Sequence, residues 1–302
     1  MSALRRFWTA LRHATPAPAE RPGTPHGARD TGTVRPGQVH ADGDTAAAYR
    51  ARLLEALTCE APDAAAALDL IRAEIDAIAE PEDREHARTH TVRYLQTYLM
   101  VPQGGDGSQR VIDIGGPSIH NVPVARLKRW EIETVEILSI DYERDRLPYP
   151  DASVDGVLLC EVIEHFVIDP FHCLIEINRV LRPGGFVVVT TPNAGAWFTV
   201  YQALRQRPPN RWAVYSGDPA KARNHIHARE YLMEELGAAL EAAGFRVTGA
   251  VTRDYGVAPE FLPLPGFPTA DRGETLFVRA EKAAPPRKRF APPLYIEDVP
   301  YA

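Results

Sequence analysis

The sequence predicts an α/β protein built on a doubly wound, mostly parallel sheet. Short runs of apolar β-formers alternate with segments of helical periodicity, which is the rhythm of βαβ units. The first run carries an aspartate and ends on two glycines, and a strand, turn and helix of this kind opens a ligand crevice at the carboxyl edge of such a sheet. The candidate elements, in order, are Arg110–Gly115, Val122–Trp130, Val135–Ile140, Val154–Cys160, Pro170–Leu181 and Phe186–Thr190.

The segments on either side of this core are assigned by the same signals. Residues 45–100 are rich in Ala, Leu and Arg, and residues 194–222 form a long aromatic insertion. A single domain is therefore expected over residues 45–282. Its outer elements are three helices, Ala46–Leu57, Ala61–Ile78 and Pro81–Leu99, a helix that opens at Asn224–Tyr231 and runs to Ala243, and two strands, Gly244–Val251 and Glu274–Glu281.

Composition limits the class of protein. The chain has 302 residues, enough to bury a real core, and a net charge of −6, which argues against general nucleic-acid binding. Its three cysteines, Cys59, Cys160 and Cys173, are far apart and form neither a disulfide framework nor a zinc pattern. No apolar run reaches the roughly 18 residues of a membrane span. We therefore expect a soluble cytoplasmic protein.

The two ends of the chain differ from the middle. Residues 1–44 are expected to hold a basic amphipathic N-terminus and a linker. In residues 1–14, apolar side chains at helical spacing alternate with Arg and His and predict a short basic amphipathic helix, for peripheral contact with an anionic membrane or a partner. A frayed terminus is the alternative, because about 13 residues are marginal as an isolated helix. The stretch from Thr15 to Gly43 is rich in Pro and Gly and predicts a disordered linker. Residues 283–302 are expected to form a tail.

Six motifs follow one another along the core. They are Asp113-Ile-Gly-Gly116, Asp141, Leu147-Pro-Tyr-Pro-Asp-Ala-Ser-Val-Asp155, Glu161-Val-Ile-Glu-His165, Arg179-Val-Leu-Arg-Pro-Gly-Gly185 and Thr191-Pro-Asn193. In order and spacing this set resembles the class I S-adenosylmethionine-dependent methyltransferases, in particular the type 11 branch whose fourth strand ends in a Glu-Val-x-Glu-His run. The resemblance implies a Rossmann-like methyltransferase fold with S-adenosylmethionine as cofactor. It also implies a helical lid at 45–100, a substrate-covering insertion at 194–222 and a final antiparallel pair of strands.

Two departures from the family pattern bear on this resemblance. The common glycine run is Asp-x-Gly-x-Gly-x-Gly, whereas Pro117 and Ile119 occupy the second and third glycine positions here, with Gly116 beside the first. Only residues 141–146 separate the second candidate strand from Leu147, where the family fits a further helix and strand. We therefore expect a shortened sheet edge, or two elements fused into one.

The parts of S-adenosylmethionine require different protein groups. Asp113 suits the ammonium group and the positive field of the sulfonium, although a turn or cap role is the alternative. Asp141, directly after the second strand, is the candidate to hold the ribose diol by charge-assisted hydrogen bonds. Arg93, Tyr94 and Tyr98 either reach this site or serve as packing and surface residues. The expected cofactor-binding residues are Asp113, Gly115, Gly116, Asp141, Cys160 and Glu161.

If the methyl acceptor is a hydroxyl, a base is expected beside it, and histidine is the first choice because it titrates near neutrality. The candidates, in order of preference, are His165, His227 and His225. A structural role for the Glu164–His165 pair and a helix-capping role for His227 at Ala228 are the alternatives. No metal site is expected.

These observations predict an S-adenosylmethionine-dependent methyltransferase acting on a small or medium organic acceptor, by O-methylation of a sugar, a natural product or a lipid-linked precursor. The first alternative is a catalytically silent methyltransferase-like scaffold or regulatory protein, because one fold hosts many functions. The second is a nicotinamide-dependent reductase or epimerase, which would require Gly-x-Gly-x-x-Gly in the first turn and, in its short-chain form, a Tyr-x-x-x-Lys pair. Neither motif occurs in the sequence.

Overall fold

A computed structural model of the protein describes residues 43–136, 140–209, 215, 217, 226–254 and 270–286. The helices are α1 (Gly43–Thr58), α2 (Ala64–Asp76), α3 (Pro81–Thr89), α4 (Thr91–Met100), α5 (Asn121–Lys128), α6 (Pro170–Val180), α7 (Trp197–Leu204) and α8 (Met233–Ala242). The strands are β1 (Arg110–Ile114), β2 (Glu131–Val135), β3 (Val154–Cys160), β4 (Leu181–Pro192), β5 (Phe245–Arg253) and β6 (Thr275–Lys282). A single 3₁₀ turn, Ile163–His165, follows β3.

Six strands form one sheet in the order β2-β1-β3-β4-β6-β5. The first four strands pair in parallel, and β6 lies antiparallel between β4 and β5. The predicted α/β fold with a mostly parallel sheet and a final antiparallel pair is therefore confirmed. Within the described residues β2 lies at one edge of the sheet and β5 at the other, and β2 as an edge strand fits the short connection before Leu147.

Helices cover both faces of the sheet, which explains why its central strands are almost continuously apolar. Side chains alternate between the faces: Val111 of β1 packs with the N-terminal helices, whereas Ile112 packs with α6 and α8. Tyr98 of α4 and Phe171 of α6 are among the largest fully buried side chains on the two sides. Burying a side chain of this size stabilises the fold by about 1.5–3 kcal/mol.

The second strand lies earlier than predicted. Val135–Ile140 was the expected strand, but β2 spans Glu131–Val135 and pairs with β1 from Arg110↔Glu131 to Ile114↔Val135. Because β2 is an edge strand, its side chains alternate in exposure instead of forming the continuous apolar run that the sequence prediction followed. Helix α5 ends at Lys128 because Arg129 adopts a left-handed conformation with φ 61°.

Two further helices differ from the prediction in where they begin or end, and local backbone geometry explains the differences. The single helix predicted over Pro81–Leu99 is two helices, because His90 leaves helical geometry at φ −96° and ψ 7°. The helix predicted to open at Asn224–Tyr231 begins only at Met233, and Tyr231 instead bridges to Asn193 beside the sheet. The predicted opening of α6 is confirmed: the Asp169 carboxylate accepts a hydrogen bond from the His172 amide, with proline at the first helical position.

Several predictions lie outside the described residues. They concern the amphipathic helix and linker before residue 43, part of the insertion at 194–222 (residues 210–214, 216 and 218–222), and the tail beyond residue 286. Among the helices that the structure describes, none has the length and apolar character needed to cross a membrane.

Candidate functional site

The carboxyl ends of three neighbouring strands meet at one edge of the sheet. In the register of the parallel strands, Ile114 of β1 lies beside Leu159 of β3, and Cys160 lies beside Thr190 of β4. The residues that follow β1 and β3 in the chain therefore come together, and they carry the first and fourth sequence motifs. Such an edge is where open α/β sheets bind ligands.

The turn after β1 requires glycine. Gly115 and Gly116 have φ values of 117° and 120°, a region that side-chain-bearing residues rarely adopt. A β-carbon on Gly115 would also lie 2.5 Å from Cγ2 of Val162, which follows β3. Conformation and space therefore both exclude a side chain at Gly115, and the backbone of the turn is open to close approach by a ligand.

Asp113 is buried at the centre of this edge, with 2% of its surface exposed. Its carboxylate accepts a 2.7 Å hydrogen bond from Nδ2 of Asn121, the first residue of α5. Burial raises the pKa of Asp113 to about 7, although hydrogen bonds from Asn121 and from the Ser118 amide oppose this rise. A cationic ligand would relieve the desolvation of this carboxylate.

The sequence analysis did not single out two polar residues near Asp113, which are His120 and Asn121. Within the described part of the chain, Oδ1 of Asn121 and Nε2 of His120 are buried without a hydrogen-bond partner. Nδ1 of His120 pairs with the Ser118 hydroxyl at 2.8 Å, and burial lowers the pKa of His120 to about 3, so this imidazole is neutral. Their position at the N-terminus of a helix that follows a glycine turn could have identified them, because ligands often bind at such a position.

Glu161 is held from two sides. Its carboxylate pairs with Nη1 of Arg93 at 2.8 Å and accepts a hydrogen bond of the same length from the Thr190 hydroxyl. Its backbone has φ 57°, a strained conformation for a residue with a side chain that costs on the order of 1–3 kcal/mol and occurs often at functional sites. Arg93 of α4 therefore reaches this edge. The adjacent Cys160 is a neutral thiol, because burial and then the Asp113 charge raise its pKa.

Glu164 has no exposed surface. Its Oε2 accepts a 2.9 Å hydrogen bond from the Thr191 hydroxyl, and its backbone carbonyl accepts from the amides of Ala228 and Arg229. Its Oε1 has no hydrogen-bond partner in the described residues. Burial, followed by the charge of Glu161, raises the pKa of Glu164 well above its ordinary value.

Two of the three candidate histidines meet beside Glu164. Nδ1 of His165 lies 2.9 Å from the carbonyl oxygen of Ile226, and the rings of His165 and His227 pack edge to face with centroids 4.8 Å apart. Burial, then the proximity of His165, lowers the pKa of His227 to about 3. Because α8 begins at Met233, His227 does not cap it at Ala228. His225 lies outside the described residues.

Asp141 is not directly after the second strand. Since β2 ends at Val135, Asp141 lies in a later turn, where its backbone carbonyl accepts from the amides of Arg144 and Asp145 and its Oδ1 accepts from the Glu143 amide. Its side chain is 43% exposed. The acidic residue that does follow β2 immediately is Glu136, and sequence reasoning missed it because the strand had been placed too late.

Other motif residues have structural roles. The Asp155 carboxylate pairs with Arg182 at 2.6 Å and accepts a hydrogen bond from the Arg110 amide. Arg179 binds Glu176 through two nitrogens and also donates to the backbone carbonyls of the Leu147 loop. These contacts tie the start of β3 and the end of α6 together, away from the carboxyl edge.

Comparison with known proteins agrees with the motifs. Residues 106–189 match the family model described as a methyltransferase domain. Over 101 residues the chain is 40% identical to a probable S-adenosylmethionine-dependent methyltransferase of Mycolicibacterium smegmatis, covering 33% of this chain and 32% of that protein. A probable S-adenosylmethionine-dependent methyltransferase of Mycobacterium tuberculosis is 36% identical over 99 residues, covering 33% and 29%. The chain thus matches about a third of the length of these curated relatives, and the resemblance to methyltransferases is confirmed over this core.

Solved structures give more distant likenesses. A methyltransferase of Haloferax volcanii, solved with the activator Trm112, has a TM-score of 0.44 and 17% identity, covering 71% of this chain and 98% of that chain. A Thermotoga maritima protein described as a possible histamine N-methyltransferase has a TM-score of 0.40 and 22% identity, covering 66% and 95%. These scores are too low to support an inference, so the fold assignment rests on the strand order described above.

Proposed function

We propose that this protein binds S-adenosylmethionine at the carboxyl edge of the sheet and transfers its methyl group to a hydroxyl of a small or medium organic acceptor. One observation carries the proposal: buried Asp113, the Gly115–Gly116 turn and the Glu161–His165 segment meet at one sheet edge within a methyltransferase-like sequence core. A sugar, a natural product or a lipid-linked precursor remains the proposed acceptor class.

The residues present fit the amino-acid part of this cofactor. Asp113 is a buried carboxylate that an ammonium group would stabilise, and Oδ1 of Asn121 is an acceptor without a partner among the residues described. The Gly115–Gly116 backbone, which carries no side chains, permits close approach by the methionine part of the cofactor. Arg93, beside Glu161, offers a cation for a carboxylate.

Two acidic residues are proposed for the ribose diol. Glu136 directly follows β2, the position from which a carboxylate reaches a ligand at the edge, whereas Asp141 closes an exposed turn further along. A carboxylate that accepts two hydroxyl hydrogen bonds holds a diol firmly. We therefore propose Glu136, together with Asp141, as a candidate to hold the ribose diol. Cys160 and Glu161 line the middle of the proposed cofactor crevice.

Bound S-adenosylmethionine supplies a methyl group already activated by its sulfonium, so the protein's task is alignment and removal of the acceptor proton. His165 and His227 lie next to each other at this edge. Because the Ile226 carbonyl can only accept, Nδ1 of His165 carries a proton, so Nε2 is the acceptor nitrogen of the neutral ring. We propose that Nε2 of His165 faces the acceptor hydroxyl, with His227 beside it.

The experiment that tests this proposal is parallel calorimetric titration of the full chain with S-adenosylmethionine, S-adenosylhomocysteine and NAD. Binding of the two sulfur compounds but not NAD is the expected result. NAD binding without them would overturn the proposal in favour of a reductase. A methyl-transfer assay with sugar, phenolic and lipid-linked hydroxyl acceptors then follows, and binding without any transfer would favour the catalytically silent scaffold.

A further inference from the structure

The exposed large apolar side chains are confined to one region of the described chain. Val167 and Ile168 follow the 3₁₀ turn after β3, and the others lie in the segment between β4 and α8. These others are Leu204, Tyr215 and Leu232. Single exposed apolar residues are ordinary, but their restriction to the segments at one sheet edge marks an interaction surface. We propose that this edge of the protein docks on an anionic lipid membrane.

Hydrogen bonds and close contacts join these segments to one another. The backbone carbonyl of Glu164, in the 3₁₀ turn, accepts from two amides of the segment before α8. Leu232 belongs to the same segment and lies against the chain that enters α7, since a β-carbon on Gly195 would be 3.0 Å from its Cδ2. The exposed apolar side chains therefore surround the edge that carries the proposed base.

The backbone that carries Val167 and Ile168 is fixed. Oε1 of Glu143 accepts hydrogen bonds from the amides of Ile168 and Asp169, at 2.5 and 2.7 Å. The preceding Phe166 packs against the main core. The two β-branched side chains are 60% and 50% exposed on this fixed backbone, so they are available to a partner without a rearrangement of the loop.

The end of α7 supplies the positive charge that an anionic membrane attracts. Arg205 and Arg207 follow the exposed Leu204 in the chain, and Cζ of Arg205 lies 5.5 Å from the ring centroid of Tyr201. An arginine whose stem runs along apolar groups while its charge reaches the headgroups is typical of an interfacial helix. Because the whole chain has a net charge of −6, this local charge sets which edge faces the membrane.

The apolar edge is one of two contacts. Peripheral binding through a single weak signal is marginal, whereas two signals together give stable attachment. The basic amphipathic segment predicted for residues 1–14 is the second signal. Removal of either contact is therefore expected to abolish most of the binding.

Docking in this orientation would supply the methyl acceptor, and this consequence rests on the proposed function, whereas the docking surface does not. A hydroxyl on a lipid-linked acceptor stays at the membrane surface while its hydrocarbon chain stays in the bilayer. Because the apolar side chains surround the site, docking brings such a hydroxyl to the edge that carries His165. The lipid-linked class is therefore favoured among the proposed acceptors.

The test measures binding of the full-length protein to vesicles by co-flotation. The vesicles contain phosphatidylcholine alone or with about one third phosphatidylglycerol, and each is run at low and at high salt. The apolar variants are Ile168→Asn and Leu204→Asn. The charge variant is Arg205→Gln, and its matched control is Arg246→Gln, an exposed arginine of β5. Thermal unfolding and S-adenosylhomocysteine binding are measured on the same proteins.

A fluorescent probe then locates the contact. Cys59 is the exposed cysteine of the three, so an environment-sensitive label is attached in a Cys59→Ser background. The labelled positions are Leu204→Cys and, as the control, Arg246→Cys. A shift to shorter wavelength on vesicle binding reports that the labelled position enters the bilayer, which binding through residues 1–14 alone would not produce.

We expect the parent to bind the anionic vesicles and to bind them less at high salt. Binding should be about 5-fold weaker in Arg205→Gln, at least 5-fold weaker in the two apolar variants, and unchanged in Arg246→Gln. The emission of the label should shift at Leu204→Cys and stay constant at Arg246→Cys. Thermal unfolding and S-adenosylhomocysteine binding should be unchanged in all variants.

Three results would each overturn the docking surface: no vesicle binding by the parent, equal binding by every variant, or a constant spectrum at position 204. A spectrum that shifts with protein concentration in the absence of vesicles would assign the surface to self-association instead. Vesicle binding without S-adenosylhomocysteine binding would leave the docking surface standing and reject the proposed methyl transfer.

Discussion

At the residue scale, burial controls the charge state of the groups at the sheet edge. Asp113, Glu164 and His227 are all removed from water, so each is pushed towards its neutral form. Glu161 differs, because the Arg93 guanidinium and the Thr190 hydroxyl both stabilise its carboxylate. A cationic ligand that enters this site would therefore find carboxylates whose ionisation it can promote.

Asp113→Asn keeps the shape of the side chain but removes its charge. We expect binding of S-adenosylhomocysteine to weaken by about 1.5–3 kcal/mol, the range for hydrogen bonds to charged groups, which is on the order of 10–100-fold in Kd. Calorimetry measures the change. The matched control is Asp69→Asn in α2, whose exposed carboxylate lies far from the site. Unchanged affinity in Asp113→Asn would reject its assignment to the ammonium group.

The raised pKa of Asp113 also predicts a pH dependence of stability. Between its ordinary value of 3.8 and its folded value of about 7, the folded state binds more protons than the unfolded state. The contribution of Asp113 to stability is therefore full at low pH and is lost as pH rises through about 7. Urea unfolding of the cofactor-free protein should show the parent losing stability relative to Asp113→Asn between about pH 4 and 7. Parallel curves would contradict the raised pKa.

The two described histidines can be tested through turnover. If the proposed function holds, His165→Ala should lower turnover by roughly 10²–10⁴, the usual contribution of a general base, with cofactor affinity nearly unchanged. His227→Ala and His225→Ala rank behind it, and His172→Ala is the control. Loss of cofactor binding in His165→Ala would show that His165 is a structural element of the crevice and not the base.

At the element scale, the turns at the carboxyl edge decide where ligands can approach. The Gly115–Gly116 turn connects β1 to the loop before α5, and Val162 after β3 packs against it. The 3₁₀ turn Ile163–His165 is held by the segment before α8, through amides that donate to the Glu164 carbonyl. Two turns far apart in the sequence thus form one wall of the site.

Gly115→Ala tests the first of these turns. The substituted residue would need φ near 117° and would meet Val162 at 2.5 Å, so we expect a loss of about 1–3 kcal/mol in unfolding free energy and weaker cofactor binding. Gly237→Ala is the matched control, because it lies within α8 with open space around its β-carbon and should stabilise by about 0.5–1 kcal/mol. Thermal unfolding that ranks the two variants in the opposite order would contradict this account.

At the scale of the whole molecule, the N-terminal helices and the sheet form one packed unit. Side chains of α1, α2 and α4 share a core with the β1, β3 and β4 face, and Arg253 of β5 donates to Gln96 of α4. The proposed domain of residues 45–282 therefore includes these helices. The basic segment 1–44 and the tail 283–302 remain predictions from composition.

Limited proteolysis should cut first within residues 15–43, because a Pro/Gly-rich, apolar-poor stretch is a preferred cleavage site. A stable core that starts near residue 45 should remain and bind S-adenosylhomocysteine like the full chain. Loss of binding on trimming would show that the N-terminus contributes to the site. Sedimentation with anionic vesicles should pellet the full-length protein and not the trimmed one, and equal pelleting would reject peripheral membrane contact through residues 1–14.

The sequence by itself determined the sheet's central strands, the buried Asp113 beside its glycines and the order of motifs around them. These features depend on local patterns: apolar runs, a glycine turn, and the Asp169–Pro170 helix opening. Such patterns arise because both faces of a central strand are buried and because a tight turn excludes side chains. The match of residues 106–189 to a methyltransferase domain confirms that this local information sufficed for the core.

The tertiary structure alone decided the edge strand and the pairs that complete the site. An edge strand is buried on fewer sides, so its pattern was too weak to fix the start of β2. The sequence therefore placed Asp141 directly after the strand, where the structure has Glu136. The contacts of Arg93 with Glu161, and of Glu164 and His165 with His227, join residues far apart in the chain. No local periodicity records such contacts, because they form only when α4 and the segment before α8 both reach the carboxyl edge of the folded sheet.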